Sequence, residues 1–106
     1  MTETKFDKVS VAAKANVYFD GKVVSHTIVL AGGAKKSLGL IYPGTYTFNT
    51  GAPETMAITV GECRVRVGDE TAWRVVTAGT AFNVPGHSKF DITVETGIVE
   101  YICSFG

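Results

Sequence analysis

The sequence predicts one all-β domain, a sandwich or barrel of short strands. Twelve glycines divide the 106 residues into short segments. Those segments are rich in Val, Ile, Thr, Phe and Tyr and alternate apolar with polar residues. Nothing after residue 16 carries a helical apolar stripe of about ten residues or more, which leaves βαβ units and a parallel dinucleotide fold without support. A chain of this length forms one core and buries about two-thirds of its unfolded surface.

Taken in order, residues 1–15 read as an N-terminal extension or arm. Within it Phe6, Val9 and Ala13 stand at loosely helical spacing over residues 5–15, with a disordered or strand-like arm as the alternative. Residues 16–106 form the domain. Strands are expected over 22–30, 37–42, 45–50, 55–60, 63–67, 71–76, 81–84, 88–94 and 98–103, because period two places their larger apolar side chains on one face. Glycine- and proline-bearing turns separate them, such as Pro43-Gly44, Gly51-Ala52-Pro53, Ala78-Gly79 and Pro85-Gly86. Where apolar residues occupy adjacent positions, as Ile28, Val29 and Leu30 do, a sheet covered on both faces is expected, and with it a homodimer.

Ten basic and ten acidic side chains cancel, so the chain offers no phosphate-backbone footprint and nucleic acid is not expected as a partner. The apolar runs at 28–31 and 40–42 fall far short of the roughly 20 residues that cross a bilayer. No membrane span is expected. Residues 1–8 mix both charge signs and lack the apolar segment of a secretory signal, which predicts a cytoplasmic location. Cys63 and Cys103 form no Cys-x-x-Cys pair and read as reduced packing residues.

Two stretches are similar to the paired motifs of cupin barrels. In the first, Gly44 opens an alternating strand, and Glu54, after a Gly-Ala-Pro turn, is followed by six residues and Gly61. The second, Gly79-x5-Pro85-Gly86-His87, has its glycine one place early. The resemblance implies a cupin-like β-barrel or jelly roll. It departs at the metal ligands: the places of the usual His-x-His pair hold Thr47 and Asn49, or Phe48 and Thr50. The only histidines are His26 and His87, whereas a stable transition-metal site needs three or four converging donors. No metal and no cofactor are expected, with His87 and Glu54 as two ligands of a weak site the alternative.

A closer resemblance spans Asn16 to Cys103. Asn16-Val17-Tyr18-Phe19-Asp20-Gly21-Lys22-Val23, Gly44-Thr45-Tyr46-Thr47-Phe48, Pro53-Glu54-Thr55-Met56 and the isolated Trp73 resemble the small cupin-type pyrimidine/purine nucleoside phosphorylases. Most specific is Phe82-Asn83-Val84-Pro85-Gly86-His87-Ser88. The resemblance implies phosphorolysis, in which a nucleoside and inorganic phosphate give free base and (deoxy)ribose 1-phosphate with broad tolerance for the base.

That reaction needs an anion pocket, an apolar slot for a flat base, and stabilisation of an oxocarbenium-like state. For phosphate, the sequence offers Ser88 and the amides around Gly86 and His87, with Lys22, Lys89, Arg64 or Arg66 as counter-charges. The alternative for these cations is a solvated outer face, which Arg64 and Arg66, alternating with Val65, fit best. For the base it offers Tyr18, Phe19, Tyr46, Phe48, Phe82, Phe90 and Tyr101, most of them core, with Tyr46 first because its hydroxyl gives it a polar end. Glu54 is placed to bind ribose hydroxyls or move a proton; otherwise it is an exposed turn residue. His87 is the leading candidate to hold phosphate or protonate the leaving base, against a turn residue that satisfies local backbone. Asn83 beside it has paired donor and acceptor groups for a ring or a hydroxyl. His26 has no motif around it and reads as structural. Two rival readings are a non-catalytic small-molecule-binding cupin and a metal-dependent cupin enzyme.

Overall fold

The computed structural model describes residues 4–106. Its strands are β1 (Ser10–Val11), β2 (Asn16–Tyr18), β3 (Val23–Val29), β4 (Lys35–Ile41), β5 (Gly44–Asn49), β6 (Glu54–Val60), β7 (Glu62–Val67), β8 (Arg74–Thr77), β9 (Thr80–Val84), β10 (Lys89–Val94) and β11 (Val99–Phe105). They form two antiparallel sheets. The larger runs β1-β3-β4-β11-β6-β9, with β2 also on β3, and the smaller runs β5-β10-β7-β8. From β4 to β7 the chain changes sheet at every step, and again from β8 to β11, which is the winding of a jelly roll. Of the two forms expected, barrel or jelly roll, the two-sheet form is the one observed.

Alternation decides what lies between the sheets. Val23, Ile41, Met56, Ile58, Cys63, Val65, Phe82, Val84, Phe90, Ile92 and Val99 form one buried cluster, each large member stabilising the fold by about 1.5–3 kcal/mol. The outer face of the larger sheet is apolar at its centre. Across it the register sets His26 beside Leu38, Leu38 beside Ile102, Ile102 beside Ala57, and Ala57 beside Ala81.

For the arm the strand-like alternative is the one observed, and one expected strand differs. Residues 5–15 form no helix: Ser10 and Val11 pair with Val29 and Ile28, and the Ala12 N–H donates to the Thr27 carbonyl at 2.9 Å. A helix would leave the edge of β3 unpaired, whereas the extended arm covers it and Ile28 is only 1% exposed. The strand expected over 71–76 begins instead at Arg74. Residues just before it turn, with the Val67 N–H donating to the Glu70 carboxylate at 2.8 Å and Arg66 lying 4.4 Å from the Trp73 ring centre. No helix among the described residues is long and apolar enough to cross a membrane.

Candidate functional site

One end of the sandwich gathers the chemistry. The turns at 50–53 and 85–88 are tied together by Thr50, whose hydroxyl donates to the Pro85 carbonyl at 2.7 Å and accepts the Ser88 N–H at 2.9 Å. The Thr50 N–H donates to the Ser88 carbonyl at 2.9 Å, and the His87 N–H to the Gly51 carbonyl at 3.0 Å. These bonds hold His87 at φ 51°, in the left-handed region that a non-glycine residue seldom adopts. The amides of His87 and Ser88, which the sequence offers to an anion, are thus already engaged. For an anion these bonds leave the Gly86 amide and the side chains. Those of His87, Ser88, Lys89, Asn49 and Asp69 line an open cleft of about 370 Å³.

Glu54 opens β6 directly after the first of these turns and is half-buried. It points to the inner face and is not among the residues lining the cleft. Burial raises its pKa above the ordinary carboxylate value, and a hydrogen bond from Cys103 partly offsets this. The Cys103 thiol donates to Glu54 Oε1 at 3.5 Å. Burial and the facing carboxylate push that thiol up to about 12. Burial likewise pushes Tyr101 to about 12, against a hydrogen bond with Ser25.

The other residues singled out in the sequence are dispersed. The Tyr46 hydroxyl donates to the carbonyls of Tyr42 at 2.8 Å and Pro43 at 2.9 Å, so its polar end faces its own turn. Phe82 is 2% exposed and packs edge-on against Phe90. Asn83 lies on the outer face of the larger sheet, where its side chain accepts the Thr55 hydroxyl at 2.8 Å. Lys22 is exposed beyond the short 3-10 turn at Phe19–Gly21. Arg64 pairs with Glu95 at 3.2 Å, and Arg66 with Asp91 at 2.7 Å, both outside the cleft. His26 takes a structural position, its Nδ1 3.0 Å from the Ala12 carbonyl oxygen.

Six of the seven aromatics singled out form one train, Tyr18 to Phe48 to Phe90 to Phe82, with Phe19 on Tyr46 and Phe48, and Tyr101 stands outside it. Tyr18 and Phe19 end it at the surface, each 44% exposed. Sequence reading missed Asn49 and Asp69. The signal for Asn49 was its standing at one of the places of the cupin His-x-His pair, and in the structure the pairing of β5 with β10 sets it opposite Lys89. Among the described residues, no three His, Cys, Asp or Glu side chains stand together as a metal site would require.

The model of the family described as pyrimidine/purine nucleoside phosphorylase matches residues 13–105. A relative of that name from Aromatoleum aromaticum is 61% identical over 96% of this chain and 95% of its own. Another from Cupriavidus pinatubonensis is 54% identical over the full length of both. Among solved structures, a protein of unknown function from Acinetobacter sp. ADP1 superposes with a TM-score of 0.94 at 43% identity, covering 96% of this chain and 98% of that one. The FeII form of HppE matches with a TM-score of 0.74 at 14% identity, over 100% of this chain and 60% of that one. At that identity it speaks for the fold alone.

Proposed function

Because the chain belongs to the pyrimidine/purine nucleoside phosphorylase family, we propose that it cleaves both purine and pyrimidine nucleosides with inorganic phosphate as co-substrate and no cofactor. The observation that carries this reading is the match to relatives of that name over essentially the whole chain. The reaction is a pentosyl transfer. A phosphate oxygen forms a bond to C1′ of the sugar, the C1′–N bond breaks, and the base leaves with the electron pair and takes up a proton. The products are free base and ribose or deoxyribose 1-phosphate, as in nucleoside salvage.

Chemistry runs, in this reading, at the end of the sandwich where the 50–53 and 85–88 turns meet. His87, Ser88 and Lys89 hold phosphate from the cleft side, supported by the converging side chains there. Glu54 meets the sugar from the inner face, and the exposed end of the aromatic train receives the base, since stacking tolerates one ring or two. Tyr46, Phe82 and Asn83 position the fold rather than the substrate. The enzyme works as a homodimer in the cytoplasm, supported by the apolar outer face of the larger sheet and by two buried, unbridged cysteines.

The test is to incubate the protein with uridine, cytidine, adenosine and guanosine, with and without phosphate, and to follow free base. Phosphate-dependent release from at least one purine and one pyrimidine nucleoside is expected. Absence of product from every nucleoside overturns the reading.

A further inference from the structure

Half of the inner face of the larger sheet is polar. Two cross-strand rows carry it. In the first, Asn16 stands beside Ser25, Ser25 beside Gly39, and Gly39 beside Tyr101. In the second, Thr27 stands beside Ser37 and Ser37 beside Cys103, whose thiol reaches Glu54. Farther along the same face, β6 and β9 return to Ile58, Met56, Phe82 and Val84. An inner face serving packing alone gains most from Val, Ile and Leu, because each buried hydroxyl costs free energy until it is hydrogen-bonded.

Gly39 shows that the polar wall is built around one side chain. A methyl group at this position would overlap the ring of Tyr101, within 2.5 Å of its hydroxyl oxygen. Only glycine lets that ring lie across β4 toward Ser25, the residue beside Gly39 on β3. The Asn16 amide donates to the same serine at 3.3 Å and to Thr27 at 3.2 Å. Ser37, 8% exposed, takes part in none of the side-chain hydrogen bonds among the described residues and has a donor to give. The wall leads to Glu54, which solvent reaches.

We propose that Tyr101, Ser25 and Ser37 form a hydroxyl-reading subsite that engages the sugar of the nucleoside and favours ribose over 2′-deoxyribose. This inference rests on the phosphorylase reading of the same end of the molecule. A wall of fixed hydroxyls rewards a substrate hydroxyl and is left unpaired by a substrate that lacks one, which is how polar sites discriminate most strongly.

The experiment compares kcat/KM for uridine and 2′-deoxyuridine in the wild type, Tyr101→Phe and Ser37→Ala, with Tm measured on each preparation. The wild type is expected to favour uridine about 10-fold or more. Both variants should lower kcat/KM for uridine about 10-fold and leave 2′-deoxyuridine within about twofold. Should Tyr101→Phe fail to fold, Ser37→Ala, which removes one oxygen, still decides. An unchanged ratio in folded, active variants overturns the subsite and leaves the phosphorylase reading standing. A wild type that cleaves neither substrate, nor any other nucleoside, overturns that reading instead.

Discussion

His87 is held at φ 51° by bonds its backbone makes to the neighbouring turn, so its imidazole has no part in local satisfaction and is left for the cleft. His87→Ala should lower phosphorolysis by about 10²-fold or more while keeping the fold. A turn residue with only a local role would instead lose stability, on the order of 1–3 kcal/mol, at near-normal turnover per folded molecule. Measuring Tm and turnover on one preparation separates the two. Glu54 makes a pH-dependent prediction. Its folded pKa is raised by burial, so the folded chain holds that proton more tightly than the unfolded chain does. The stability this contributes is full below the ordinary carboxylate range and is lost as pH rises through the raised value. Glu54→Gln lacks the titration, so its Tm should gain on the wild type as pH rises from the ordinary carboxylate range through the raised value. A Tm difference that stays flat over that range would remove burial as the cause. The turns that carry both residues were legible in the sequence, through Gly51-Ala52-Pro53 and Pro85-Gly86. Asn83 was legible as a polar residue beside a motif, but alternation says only that it faces opposite to Phe82, and burial of Phe82 then sends Asn83 outward.

Strand β5 shows how an element can consume a residue that looks like a ligand contact. Gly44, at φ 149°, places the strand's first residue so close to the Tyr46 hydroxyl that a side chain would meet it at 2.5 Å, and that hydroxyl then bridges two carbonyls of the preceding turn. Tyr46→Phe leaves both acceptors without this donor and should destabilise the fold by about 1–2 kcal/mol. Turnover per folded molecule should stay near normal. A loss of activity larger than the loss of folded protein would return Tyr46 to the site. The sequence exposed the alternation of β5 clearly. It did not expose the turn contact, because a hydroxyl three and four residues from its acceptors reads the same whether the ring leans back or points into a cleft. Strand β8 slipped for a similar reason: Trp73 fits a strand by propensity, yet its ring is taken by Arg66 on the outer face of the smaller sheet.

At the scale of the molecule, the larger sheet presents Val17 and Leu38 at 60% and 36% exposure, with His26, Leu40 and Ile102 half-buried around them. A second copy of the chain covering this face is what the homodimer proposal requires. The wild type should scatter light as a dimer at micromolar concentration, and Leu38→Lys should shift it toward the monomer. A wild-type monomer would end that proposal. Strand alternation made the two-faced character of this sheet legible. It could not reveal which strands neighbour one another, since period two fixes the face of a residue and is silent on its cross-strand partner. The least legible partnership is that of β11, which lies between β4 and β6 although it comes last in the chain. During synthesis, β4 and β6 therefore leave the ribosome with an unfilled gap between them, each showing a bare backbone edge to other nascent chains. The sheet closes only once residues 99–105 have emerged, so folding of the whole sandwich waits on its final strand.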